Sequence, residues 1–326
     1  MEKPNIFHYA TSELSQDAII CWLAKWAHPK NRESDPELHK CGTSLIDLFF
    51  EKHGQTLPEI RTIKVSKQDQ HIDVLIVVND EFAIIVEDKT STSDHGKQLE
   101  NYLGEVSKRG YASDKVLPIY FKTHDQCRYN DVIEKGYQPF TPADFLGVLR
   151  PFSNHNNAIL SDYRLNLEAH EDCVQSFRTL PIDKWEHWSW VGFYMALGQA
   201  IGTQDYKWRW VNNPSKSFWY FGWKWAGKAG FQLEEDKLTI KIFEEDPSKQ
   251  KALRYHWHTI AIAVAQREGT NFEKPKRFGK GKHMTIAQLG SDYRKTKKEG
   301  FVDVEATAAG LRQLEPLLDL IVREAE

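Results

Sequence analysis

The chain has 326 residues, 40% of them hydrophobic, and its 43 basic and 46 acidic side chains give a formal net charge of −3. The length favours two domains of roughly 150 residues, and charged and aromatic fractions of 27% and 12% exclude long disorder. A global field that attracts nucleic acid is excluded too, so any such contact must come from a local patch. Cys21, Cys41, Cys127 and Cys173 form no CxxC pair. We therefore expect reduced core thiols, no closed zinc site and a cytoplasmic location. The opening MEKPNIFHYATSEL lacks an apolar signal core, and no run nears the roughly 18 apolar residues of a membrane span.

In chain order, LSQDAIICWLAKWA predicts the first helix. Leu14, Ala18, Cys21, Trp22 and Lys25 follow one stripe; Ile19, Trp22, Leu23 and Trp26 follow an adjacent one. Ser12 or Ser15 is its N-cap and Pro29 its stop. A second helix is expected over Leu38–His53. Strands follow at Ile60–Ser66, Ile72–Val78 and Phe82–Val86, the last two joined as a hairpin by Asn79-Asp80-Glu81. A helix over Gly96–Lys108, a strand over Val116–Phe121 and a short helix opened by Thr141-Pro142 complete the first half.

The polar run Pro151–Asn157 suggests a boundary, giving domains 1–150 and 151–326. The second half is expected to hold helices at Leu160–Arg178 and Asp183–Ile201, then strands at Tyr206–Val211, Phe218–Trp223, Phe231–Leu233 and Lys237–Phe243. A helix near Gln250–Glu268, a strand at Met284–Leu289 and a last helix at Val304–Glu324 come after them. Residues 1–150 carry 18 basic and 23 acidic side chains; residues 151–326 carry 25 and 23. The fold class expected is α/β, a mixed sheet flanked by helices, with a Trp-rich C-terminal α+β region.

The informative stretch is HIDVLIVVNDEFAIIVEDKT. Two strands otherwise built of Ile, Val, Leu, Phe and Ala contain Asp73 and then Glu87, Asp88 and Lys89. Charges on an apolar strand cost several kcal/mol unless they are paired or ligate a metal. A three-residue loop at Asn79–Glu81 pairs Val78 with Phe82, and counting down the ladder brings Asp73 opposite Glu87, ~5 Å away at the Cα. Alternation puts Glu87 and Lys89 on one face and Asp88 on the other. Two carboxylates that both stay ionised need a cation, and oxygen ligation suits Mg²⁺, completed by water and substrate phosphate. Lys89 could orient the attacking water, accept its proton or neutralise developing charge.

Asp73, thirteen residues, then Glu87-Asp88-Lys89 resembles the signature of the PD-(D/E)XK nuclease superfamily, with Ile72 in place of the proline. The resemblance implies a restriction-endonuclease-like core in which Asp73 and Glu87 ligate Mg²⁺ (or Mn²⁺ in its place). It makes the Asp88 carbonyl a further ligand and Lys89 the catalytic lysine. The next helix carries Gln98 and Tyr102, which resembles the QxxxY motif of RecB-like branches; four apart, they share one helix face. In this superfamily the first helix often adds a carboxylate, for which Glu13 is the first candidate and Asp17 the second. The opening NIFHYATSELSQDA is similar to that of bacterial PD-(D/E)XK proteins associated with phage defence or mobile elements. Against all this stands a plain salt bridge at a strand end.

Elsewhere, Lys274–Lys298 holds nine Lys or Arg and one Asp. Lys276, Arg277, Lys280 and Lys282 flank two glycines and could follow a phosphate backbone, or simply solvate a loop. Eight of eleven tryptophans lie between Trp185 and Trp225. Interleaved with Lys207, Arg209, Lys216, Lys224 and Lys228 they could stack on bases, but bulk core filling is the favoured reading. His71 shares the face of Asp73. Ser91, Ser93 and His95 lack a nucleophile elbow, and no P-loop occurs. The function expected is a Mg²⁺-dependent nuclease acting on DNA, the second half supplying grip or control, with homo-oligomers or a defence-system protein as partners. The rival is a nuclease fold serving as a binding or regulatory subunit.

Overall fold

A computed structural model of the chain describes residues 3–89, 97–213, 216–279 and 281–326. The chain forms two compact units, Met1–Glu171 and Asp172–Glu326. The run Pro151–Asn157 lies inside the first.

The first unit opens with α1 (Glu13–Trp26) and α2 (Pro36–Lys52). Asp35 caps α2 by accepting the Leu38 N–H at 3.0 Å, with Pro36 in the first turn, where its missing N–H costs nothing. In α1 the row Ile19, Ile20, Leu23 and Ala24 faces the core, whereas Leu14 is 56% exposed. The stripe through Leu14, Ala18 and Lys25 turns outward because the isoleucine-rich row buries more apolar surface. Gln16 and Asp17 are buried with that row.

The sheet comprises β1 (Ile63–Asp69), β2 (Ile72–Val78), β3 (Phe82–Lys89), β4 (Val116–Lys122) and β5 (Gln138–Phe140), in the order β1-β2-β3-β4-β5. Between β3 and β4 lies α3 (Gln98–Lys108), and α4 (Asn130–Glu134) precedes β5. α5 (Pro142–Leu149) begins with a capping box between Thr141 and Asp144, and α6 (Ala158–Gln175) ends the unit's order of elements. β1, β2 and β3 run antiparallel; β3, β4 and β5 are parallel. This is the mixed α/β sheet expected. β1 starts later than Ile60 because Asn79 holds the preceding backbone: its Oδ1 accepts from Arg61 and Thr62, and its Nδ2 donates to the Glu59 carbonyl.

One face of the sheet, with Val74, Ile76, Val78, Ile84 and Val86, packs under α1, α2, α5 and α6. The other, with Leu75, Val77, Ala83 and Ile85, packs under Leu99, Tyr102 and Val106 of α3.

The second unit contains α7 (His187–Ile201), β6 (Lys207–Val211), β7 (Phe218–Ala226), β8 (Ala229–Glu234) and β9 (Lys237–Phe243). Next come α8 (Pro247–Arg267), β10 (Phe272–Glu273), β11 (His283–Leu289) and α9 (Val304–Ala325). Its six strands form one antiparallel sheet, order β10-β11-β9-β8-β7-β6. Trp190, Trp208, Trp219 and Trp223 are buried, as core filling requires; Trp210 and Trp225 are exposed. Cys41 is buried but Cys173 is exposed, so the thiols are not all core. Among the described residues no helix is long and apolar enough to cross a membrane.

Candidate active site

The hairpin between β2 and β3 decides where the acidic groups meet. Asn79 and Asp80 both adopt φ 58°, a left-handed turn that Asn and Asp tolerate better than most residues. Val78 pairs with Phe82 and the ladder runs to Val74 opposite Val86. Asp73 and Glu87 are therefore the next facing positions, close enough for the charge of Asp73 to act on the Glu87 carboxyl. Asp73 Oδ2 also accepts the Asp88 N–H at 3.2 Å. Lys89, two residues along β3 and so on the same face, donates to Glu87 Oε1.

Glu87 is fully buried and its Oε2 has no hydrogen-bond partner. Burial first, then the charge of Asp73, pushes its carboxyl up to about 8 against the opposing pull of Lys89. Burial alone would lower Lys89, but its hydrogen bond to Glu87 and the charges of Glu87, Asp73 and Glu13 outweigh it, so the ammonium form is favoured. Asp88 points to the other face, buried, with neither carboxylate oxygen partnered; burial and then Asp17, Glu13 and Asp73 hold it well above the usual carboxylate range.

Gln68 joins α1 to this pair. It stands opposite Asp73 in β1, between the pairs Lys67–Val74 and Asp69–Ile72, in a left-handed conformation (φ 54°) rare within a strand. Its amide nitrogen lies 3.1 Å from Asp73 Oδ1 and 3.4 Å from Asp17 Oδ2. Asp17 is raised to about 6 by burial and then by Asp73. Glu13, one turn earlier in α1, is half-buried, and its charge reaches Asp17, Asp88 and Lys89. Both helix carboxylates named from the sequence thus lie in the neighbourhood, with Asp17 the one tied to Asp73 through an amide.

On α3, Gln98 donates to the Tyr102 hydroxyl at 2.6 Å. The fields of Glu87 and Asp73 add to burial in raising the Tyr102 phenol. Both residues line a groove of about 800 Å³ with Gln70, His71, Lys97 and Asn101. Sequence reasoning did not single out Gln68 or Lys122. Lys122 ends β4 beside Lys89 in the parallel ladder, and burial pushes it down to about 8. A charge ending the apolar run VLPIYFK repeats the pattern that drew attention to β3, so Lys122 was within reach; Gln68 carried no such mark. Of the basic-loop residues, Lys276, Arg277 and Lys282 are exposed in the second unit. Lys280, with Ser91, Ser93, His95 and Gly96, lies outside the described residues.

Among the described residues no group of three or more His, Cys, Asp or Glu forms that could hold a metal ion. The site offers instead a pair, Asp73 and Glu87, with a buried orphan oxygen on Glu87. That suits a hard cation taking one or two protein carboxylates and filling the rest of its shell with water and phosphate.

Comparison with protein families places the first unit in a nuclease class. Residues 17–178 match the model of the PD-(D/E)XK nuclease superfamily, and this half of the chain belongs to that superfamily. Its members hydrolyse phosphodiester bonds and generally use divalent ions, commonly Mg²⁺. No curated protein and no solved structure matches the chain.

Proposed function

We propose that the protein is a Mg²⁺-dependent nuclease that hydrolyses DNA, serving in phage defence or a mobile element. The observation that carries the catalytic reading is the facing of Asp73 and Glu87 across β2 and β3, with Lys89 on the same face. Asp73 and Glu87 would hold the divalent ion, with the Asp88 carbonyl a further oxygen. When bound, the ion supplies Lewis-acid polarisation of the phosphate and lowers the pKa of water. An ion held there would compete with Lys89 for Glu87. As an ammonium, Lys89 then orients the attacking water and stabilises the extra negative charge on the pentavalent phosphorus. Tyr102, steered by Gln98, offers a hydroxyl to a phosphate oxygen from the α3 side. The defence role rests on the resemblance of the N-terminal segment.

The test is cleavage of plasmid and linear DNA with Mg²⁺ or Mn²⁺. Asp73→Ala and Lys89→Ala are each expected to reduce cleavage by at least ~10³-fold, in line with removal of a metal ligand or charge stabiliser. Cleavage that survives both substitutions overturns the assignment. No cleavage, with no heat on titrating Mg²⁺, favours a binding subunit instead.

A further inference from the structure

Helices α7, α8 and α9 pack on one face of the second sheet. Tyr194 lies 5.3 Å from Phe221, Trp223 donates to Glu315 at 3.1 Å, and His258 meets the Ile286 carbonyl at 2.7 Å. The opposite face has different chemistry, and a bulge creates it. Pairing of β7 with β8 shifts between Gly222 and Lys224. An extra residue in one strand turns the residues beyond it to the other face. Trp223 and Lys224 both reach α9, Lys224 lying 3.3 Å from Asp319. Trp225 therefore emerges on the far face, over its cross-strand neighbour Gly230. A Cβ at position 230 would lie 2.4 Å from the indole, so glycine is what lets the ring rest on the backbone.

Phe243 and His283 pair across β9 and β11 beside it. Their ring centroids are 4.8 Å apart, and that of His283 is 6.4 Å from Trp225. The three rings line a recess of about 660 Å³. Trp225 is 45% and Phe243 36% exposed, an apolar patch of the kind that marks a binding surface.

The charges decide what fits. Two acids border the recess and each has a lysine: Lys228 lies 3.8 Å from Glu244 and Lys282 lies 3.0 Å from Glu245. Lys241 is paired with Glu234, and Lys241, Arg209 and Lys282 add to burial in lowering the His283 imidazole, so cations rather than free acids face that ring. Lys282, the last residue of the basic loop, precedes His283. Phe278 anchors the loop on α8, 5.5 Å from Tyr255 and 4.9 Å from the Arg254 guanidinium. Rings bordered by lysine and arginine side chains suit bases and phosphates. A quaternary ammonium is drawn to the same ring faces but would be repelled by those cations.

We propose that this face binds unpaired nucleic acid, one base stacking on Trp225 beside Phe243 and His283, with phosphates at Lys228 and Lys282. The site goes beyond the nuclease reading, because it needs neither Asp73 nor cleavage. Binding of a fluorescent oligothymidylate to the full chain carrying Asp73→Ala, in EDTA, tests it by anisotropy. Trp225→Ala should weaken binding about tenfold or more and Phe243→Ala several-fold, while Trp225→Phe stays within about threefold. An abasic oligonucleotide should bind wild type as weakly as the oligothymidylate binds Trp225→Ala. Equal binding by wild type and Trp225→Ala overturns the proposal, as does indifference to the missing bases. A trimethyl-lysine peptide that quenches Trp225 fluorescence where the oligonucleotide does not overturns it in favour of a cation reader. Cleavage is assayed separately, so an inactive wild type leaves this readout intact.

Discussion

A single amide does much of the positioning. Gln68 holds Asp73 and Asp17 in place from an unfavourable backbone conformation, and such local strain persists where the surroundings over-determine it. Gln68→Leu keeps the volume and removes the donor. We expect kcat to fall roughly 10–100-fold with a smaller change in KM, and Mg²⁺ to bind more weakly by calorimetry. A KM effect alone would contradict this role. Away from the site, the His170 ring packs against that of His124 at a tilt of 40°, 4.6 Å between ring centroids. Burial and then the charge of His124 lower His170 to about 3. Its folded value lies below its ordinary 6.5, so the stability linked to it is complete above pH 6.5 and is lost as the pH falls toward 3. Asp125, raised to about 6 by burial and then Glu171, works in the opposite sense between 3.8 and 6. The ring of His170 is partly exposed, so its share is on the order of 1–2 kcal/mol. Urea denaturation at pH 7 and pH 4.5 should show a smaller acid loss for His170→Phe than for wild type.

At the level of elements, the hairpin sets the chemistry from a distance. Five residue pairs separate its turn from the acidic pair, roughly 17 Å of strand. Asn79→Val puts a β-branched residue at φ 58° and removes three side-chain hydrogen bonds, which should cost roughly 2 kcal/mol or more by chemical denaturation. Asn79→Gly, which tolerates the same φ, should cost less. Inserting one residue in the turn should abolish cleavage while sparing most of the helix signal, because it moves Glu87 to the wrong face. This hairpin was legible in the sequence, since the two apolar runs and the Asn-Asp-Glu turn leave one register that buries both. Counting down the ladder brought Asp73 opposite Glu87 with Lys89 on the same face, whereas Gln98 and Tyr102 entered through the resemblance to a known motif. α4 and β5 were missed because five and three residues carry too little periodicity. The inward turn of Asp17 and the kink at Gln68 depend on tertiary packing that no local pattern encodes. In β7 the bulge hid likewise, since WYFGWKWA reads as one even alternation.

At the scale of the whole molecule, α6 shows where a cut can fall. Leu160, Tyr163 and Leu167 belong to the core of the first unit. The Tyr163 hydroxyl donates to Gln16 Oε1 at 2.7 Å, and Asn5 donates to the Asp162 carbonyl at the same distance. A chain ending at residue 150 loses three buried side chains worth about 1.5–3 kcal/mol each, comparable with the total stability of a domain. It should fail to unfold cooperatively by circular dichroism, whereas a chain ending at residue 178 should show a single transition. The kink in β1 also bears on solubility. As the outermost strand of its sheet, β1 would otherwise offer a flat row of amides to any passing chain, but the reversed φ of Gln68 breaks that row and Lys64 and Lys67 charge it. One glutamine thus holds the carboxylates of the proposed site on its inner side and interrupts the strand edge along the outer margin, and straightening it with a valine should sacrifice both at once.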